Sequence, residues 1–156
     1  VIPSEYADQF LSASEQGEKP GFIMPQEIKV SFYKNATEFS GQTLKWIKQM
    51  GGVEAMERMA IERCDALYAE FDRNTVFRAV VEEGSRSRMN IPFVMAEGYE
   101  ELEKEFLDFC KSKNIVGVKG HRLVGGFRAS TYNACTMDDV RALIAAMQEF
   151  EKNHKK

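Results

Sequence analysis

Hydrophobic spacing divides most of the chain into alternating helical and extended segments. From Thr37 or Ser40 as a candidate N-cap, Leu44 and Ile47 fall on one face of a helix, which Gly51-Gly52 weaken or break in two. Met56, Ala60, Cys64, Leu67 and Phe71 then recur at steps of four, four, three and four. That is one apolar stripe of a second helix, with Glu57, Arg58, Glu62 and Arg63 off it, and Arg73-Asn74 end it. Phe77–Val81 and Met89–Met95 are expected as strands, with the turn supplied by Glu82-Glu83-Gly84-Ser85. Pro92 assigns the second of these strands to an edge or a bulge, because proline donates nothing to a ladder.

The later half repeats the alternation. Tyr99, Leu102, Phe106, Phe109 and Cys110 mark an amphipathic helix that stops at Lys113-Asn114. Ile115–Val118 and Phe127–Tyr132 are expected as short strands. Thr136-x-x-Asp139 resembles a capping box, and Val140, Leu143, Ile144, Met147 and Phe150 give a final helical stripe running to His154 in a solvated, lysine-rich tail. Before Thr37 the pattern is weaker: a short helix over Ser4–Ser12, a polar loop to Gly21, then a period-two strand over Glu27–Tyr33. We therefore divide the chain into an N-terminal extension over 1–37 and a domain over 38–156. Helix, strand, strand, helix, strand, strand, helix is an α+β order, and a mostly antiparallel sheet with helices packed on one face is the economical way to bury the stripes.

Composition narrows the class. A chain of 156 residues with 44% hydrophobic content can bury a core, and a net charge of −3 argues against nucleic acid as the main partner. No apolar run reaches bilayer-spanning length. Cys64, Cys110 and Cys135 are odd in number and lack C-x-x-C spacing, which fits reduced thiols, an intracellular compartment (cytoplasmic or mitochondrial) and no metal. The chain begins at Val1, as expected of a processed or cut polypeptide, with loss of an organelle-targeting peptide as one route.

Candidate chemistry concentrates in Lys119–Ala134, K-G-H-R-L-V-G-G-F-R-A-S-T-Y-N-A. Arg122 and Arg128 each offer a planar fork matched to carboxylate or phosphate, and His121 adds a donor that charges near neutral pH. Gly125-Gly126 permit a tight turn or close ligand approach. The same composition also fits a hairpin with solvated or surface-paired arginines. Arg86 and Arg88 are expected to pair with Glu82 and Glu83 across their turn.

The Lys119–Ala134 block resembles the C-terminal signature of phosphoserine aminotransferase, a pyridoxal-phosphate enzyme of the class V aminotransferase group. Ser85-Arg86-Ser87-Arg88-Met89-Asn90-Ile91-Pro92-Phe93 resembles a second block of that family. Leu44-Lys45-Trp46-Ile47-Lys48 with Gly51-Gly52-Val53 and Met56 resembles a third. The likeness runs from about Ser40 to His154 and implies the family's small domain. It further implies that His121 and Arg122 face the phosphate of phosphoserine and that Arg128 grips the substrate α-carboxylate. The Schiff-base lysine segment is missing, and Val30–Thr37 stands where the family has Asn-Thr-Pro-Pro. The resemblance thus implies no catalytic or cofactor-binding residue here and no cofactor bound by this chain alone, although pyridoxal phosphate belongs to the family.

Three functions follow as expectations. The first is the C-terminal domain of a phosphoserine aminotransferase of serine biosynthesis, inactive unless a large domain completes it. The second is a non-catalytic structural subunit of a larger, possibly organellar, assembly. The third is a module binding a phosphorylated metabolite. Under the first two, a pyridoxal-phosphate-binding large domain or another subunit covers an exposed face.

Overall fold

The computed structural model describes residues 40–121 and 125–155. The expected elements at Ser4–Ser12 and Glu27–Tyr33, the Thr37 cap and the residues Arg122, Leu123 and Val124 lie outside the described residues. Contacts divide the chain between Val53 and Glu54.

Within the first unit, α1 covers 40–49. It closes with Met50 N–H donating to the Trp46 carbonyl at 2.9 Å, and the chain then passes through Gly51 and Gly52 at φ 104° and 80°. That left-handed pair breaks the helix as its sequence foretold. Leu44 is 65% exposed.

The second unit holds most of α2 (Gly52–Arg73), β1 (Phe77–Ala79), β2 (Asn90–Met95), α3 (Glu103–Ser112), β3 (Phe127–Ser130) and α4 (Met137–His154). The strands form an antiparallel sheet in the order β1-β2-β3, with Phe77 opposite Met95, Ala79 opposite Phe93, Ile91 opposite Ala129 and Phe93 opposite Phe127. Phe77, Ile91, Phe93, Phe127 and Ala129 on one sheet face meet the stripes of α2, α3 and α4 in a single cluster, so the three helices share that face. Phe77 sits at its centre, with ring centroids 4.5 Å from Phe106, 6.0 Å from Phe150, 6.1 Å from Phe93 and 6.2 Å from Phe127. Tilted and edge-to-face rings at these spacings add attraction beyond the area they bury.

Several expectations need correction. Pro92 lies in the central strand, not at an edge or bulge. Ala96 N–H donates to the Val76 carbonyl at 2.7 Å, so the donors of β2 that face β1 are those of residues 96, 94 and 92. The proline slot therefore falls opposite Val80, one residue beyond the end of β1, where no ladder bond is lost. Ile115–Val118 is not a strand: Gly117 at φ 78° turns the chain out of the extended conformation, and pairing with β3 is limited to a bridge between Lys119 and Phe127. Arg63 is buried at 2% exposure, because its long stem lies at the margin of the α2 stripe and Nη1 reaches the Cys135 carbonyl at 3.0 Å. Arg86 and Arg88 do pair with carboxylates, but on α2: Arg86 with Asp72 at 3.7 Å, its guanidinium over Tyr68, and Arg88 with Glu57 at 2.6 Å. His154 is not loose in a tail. Its ring stacks on Phe150, with Nδ1 2.9 Å from the Phe150 carbonyl and Nε2 2.9 Å from Glu105.

The capping box of α4 is complete, with Asp139 N–H donating to Thr136 Oγ1 at 3.2 Å and Thr136 N–H donating to Asp139 Oδ2 at 2.8 Å. Cys64 and Cys110 are buried free thiols and Cys135 is a half-buried one; burial pushes the Cys110 thiol up to about 11. Among the described residues no helix is long and apolar enough to cross a membrane.

A polar network ties α2 to α4 beside the core. Buried Glu70 and Glu151 flank Arg73, which bonds both, and the Glu151 carboxylate also accepts from Thr75 N–H at 2.7 Å and Thr75 Oγ1 at 2.8 Å. Burial by itself would raise the Glu151 carboxyl, but the Thr75 bonds and Arg73 together outweigh it and hold the group below the usual glutamate range. A depressed folded-state value means stability that is present above the unfolded glutamate range and is lost as pH falls through the folded value. Urea unfolding of the wild-type chain from pH 6 down to pH 3 should show a declining midpoint. Glu151→Gln should be less stable at pH 6 and should flatten that decline, whereas an unchanged pH slope in the variant would exclude this network as its source.

Candidate functional site

The glycine-rich block forms a hairpin whose arms are 118–120 and β3. Arg128 N–H donates to the Val118 carbonyl at 2.7 Å, Gly120 N–H to the Gly126 carbonyl at 2.9 Å, and Gly125 N–H to the His121 carbonyl at 2.8 Å. Gly125 and Gly126 take φ 76° and 64°, the left-handed turn expected of that pair. The closest approach is elsewhere. A Cβ at Gly120 would stand 2.3 Å from the Gly125 oxygen and 2.7 Å from the Gly126 oxygen, so the two arms meet only because residue 120 has no side chain. The sequence alone drew attention to the paired glycines and passed over Gly120.

Of the three candidate anion donors, the structure brings two onto this hairpin. His121 is exposed at its loop end, and Arg128 is half-buried on the β3 arm. Arg122 lies outside the described residues. Among the described residues Arg128 makes no ion pair, and its Nε is buried without a hydrogen-bond partner. The nearby carboxylate of Asp139 is engaged by the Thr136 hydroxyl and N–H, which hold it below the ordinary carboxylate range. Arg86 and Arg88 are held on α2 and take no part.

Alternation along β3 fixes where Arg128 stands. Phe127 and Ala129 are buried in the core, so Arg128 and Ser130 occupy the opposite sheet face, level with Pro92 and Asn90 of β2. The Pro92 side chain offers the guanidinium no acceptor. A groove of about 210 Å³ runs along the edge of β3, but its lining includes Leu67, Ala129, Val140 and Leu143, so it lies on the helix side of the sheet and not on the face that carries the Arg128 and Ser130 side chains. Ser130, which the sequence reading passed over, has its Oγ buried without a partner. Its two-residue spacing from Arg128 on a strand was the available signal. Arg128 and Ser130 thus place a cationic and a hydroxyl side chain two residues apart on one face of β3. The described residues include no group of three His, Cys, Asp or Glu side chains placed to hold a metal ion.

No family model matches the chain. Curated relatives do: a phosphoserine aminotransferase of Bacteroides thetaiotaomicron is 59% identical over 111 residues, which is 71% of this chain and 31% of that protein. One from Ectopseudomonas mendocina is 45% identical over 115 residues, 74% of this chain and 31% of its own length. The chain therefore spans about a third of the length of the curated relatives it matches. Among solved structures, the phosphoserine aminotransferase of Bacillus circulans subsp. alkalophilus superposes with a TM-score of 0.73 at 33% identity, over 94% of this chain and 37% of that one. The pyridoxal-phosphate-bound enzyme of Trichomonas vaginalis gives 0.69 at 34% identity, over 85% and 40%.

Proposed function

Because this chain belongs to the phosphoserine aminotransferase family as a segment that fits its C-terminal part, we propose that it supplies the substrate-anion grip of such an enzyme and performs no transamination alone. The observation that carries this reading is the half-buried Arg128 guanidinium, which has no carboxylate partner among the described residues and stands on a hairpin that also carries His121. In this proposal Arg128 holds the α-carboxylate of phosphoserine, while His121 and Arg122 meet its phosphate.

Pyridoxal phosphate, which supplies an electron sink for amino-group transfer when bound, does not fit the residues seen here. Every described lysine is exposed, whereas a lysine activated for Schiff-base chemistry is desolvated or set beside another cation. We assign the cofactor to a large domain carried elsewhere, with which this chain would assemble.

Isothermal titration of the chain with O-phospho-L-serine tests the grip. Arg128→Ala is expected to weaken binding at least about tenfold, since a charge-assisted bond contributes about 1.5–3 kcal/mol. Equal affinity in wild type and variant would reject Arg128 as the carboxylate donor. Mixing the chain with a pyridoxal-phosphate-binding large domain and assaying glutamate-dependent turnover of phosphohydroxypyruvate tests the enzyme reading, which a rate at background would overturn.

A structural subunit of a larger assembly is the second reading. The exposure of Val116 (81%) and Tyr132 (58%) favours it. A monodisperse, highly soluble monomer on purification would count against it.

A further inference from the structure

Three lysines surround an apolar groove beside α3. Lys104, Leu107, Asp108 and Lys111 fall at positions i, i+3, i+4 and i+7 and so share one face of that helix. The segment 115–119 forms the opposite wall of a groove of about 410 Å³. Buried Cys110 and Val118 make its floor, half-buried Leu107 and Ile115 flank them, and Val116 at its lip is 81% exposed. Charge around the groove runs against that of the molecule. The whole chain carries a net charge of −3, yet Lys104, Lys111 and Lys119 stand here against the single carboxylate of Asp108. Asp108 bonds Lys111 at 2.9 Å, and among the described residues Lys104 and Lys119 make no ion pair. Lys113, which pairs with Glu149, is not part of this rim.

A matching occupant brings apolar side chains and negative charge together. A strand has no ladder to join on the far wall, because Gly117 at φ 78° takes that wall out of the extended conformation. A helix docks by side chains alone. Acidic residues at i and i+7 of a helix are about 10.5 Å apart along its axis, the same span that separates Lys104 from Lys111 on α3, and apolar residues at i+3 and i+4 fall between them. We propose that this groove docks an acidic amphipathic helix of a partner protein, its carboxylates on Lys104 and Lys111 and its apolar residues against Leu107 and Ile115. None of these four side chains belongs to the anion grip on the hairpin, so either reading can fail without the other.

The probe is a fluorescent synthetic peptide of about 18 residues, long enough to be helical, with Glu at i and i+7 and Leu at i+3 and i+4. Fluorescence anisotropy compares it with a scrambled peptide of the same composition and with a counterpart carrying Lys in place of Glu. Wild type should bind the acidic helix at least about tenfold tighter than the scrambled one, and more weakly as salt rises. The double variant Lys104→Glu, Lys111→Glu turns two attractions into repulsions, so it should lose the acidic helix at least about tenfold and capture the basic one instead. That capture also shows the variant to be folded. Lys152→Glu with Lys155→Glu makes the same change of net charge away from the groove and should bind as wild type does. Equal binding of the acidic and scrambled peptides would overturn the assignment, as would equal losses in the two double variants or an acidic helix still held by the groove variant. Loss of the acidic helix without capture of the basic one would mark a structural defect and also count against it. If sedimentation shows a wild-type dimer that Val116→Glu dissociates, the groove belongs to a second copy of this chain and the partner helix is rejected.

Discussion

Replacing Phe77 by alanine is expected to lower the unfolding free energy by about 3–5 kcal/mol, the range for truncating a fully buried aromatic side chain. Phe77 is 0% exposed, and its ring touches one aromatic from β2, one from β3, one from α3 and one from α4. Its removal therefore opens a cavity that four separate elements would have to move to fill. Against a typical domain stability of about 5–15 kcal/mol, such a loss leaves a large unfolded fraction under mild denaturant. Urea unfolding followed by circular dichroism should show a much lower midpoint with an unchanged slope. Val80→Ala, at a residue 44% exposed, should stay within about 0.5 kcal/mol of wild type. A Phe77→Ala loss under about 1 kcal/mol would mean that the ring cluster is not the hub of this core.

The second large effect is expected at Gly120. In Gly120→Ala the new Cβ meets two backbone oxygens at 2.3 Å and 2.7 Å, and neither belongs to a side chain that could swing aside. The arms of the hairpin must separate, breaking the Gly120–Gly126 bond and straining the Gly125–His121 bond. Overpacking of this kind costs about 1–3 kcal/mol. The functional loss should exceed the loss of stability, because His121 and Arg128 stand on opposite sides of that closure. Phosphoserine affinity should fall at least as far as in Arg128→Ala. Gly125→Ala is the informative comparison: its Cβ meets open space but its φ is 76°, so it should cost about 1–2 kcal/mol through backbone strain alone. If Gly120→Ala binds phosphoserine as wild type does, the hairpin closure is not what places the donors.

Much of this was legible in the residues themselves. The stripes of α2, α3 and α4 are spaced at helical steps, and each occupies the core as its spacing required. The left-handed glycines after α1 and the capping box of α4 are local devices settled within a few residues, and both appear as read. The misreadings share a cause. Pro92 looked like an edge marker because its missing donor is a local fact, while the end of β1 opposite it is a fact of register between strands. Arg63, Arg86, Arg88 and His154 looked solvated or locally paired because their partners, the Cys135 carbonyl, Asp72, Glu57 and Glu105, lie far off in sequence.

The amino-acid order by itself determined which segments are helical, which face of each is apolar, where the chain turns, and that cationic donors gather near residues 121–128. Those properties arise from side-chain size, branching and backbone freedom over a turn or two of chain. Tertiary structure alone decided that Gly120 closes the hairpin, that Asp139 is held by its helix cap, and that Arg128 Nε and Ser130 Oγ are buried without hydrogen-bond partners. Pairing between strands and competition for hydrogen-bond partners depend on which distant groups arrive at the same place, and spacing along one chain does not encode that arrival.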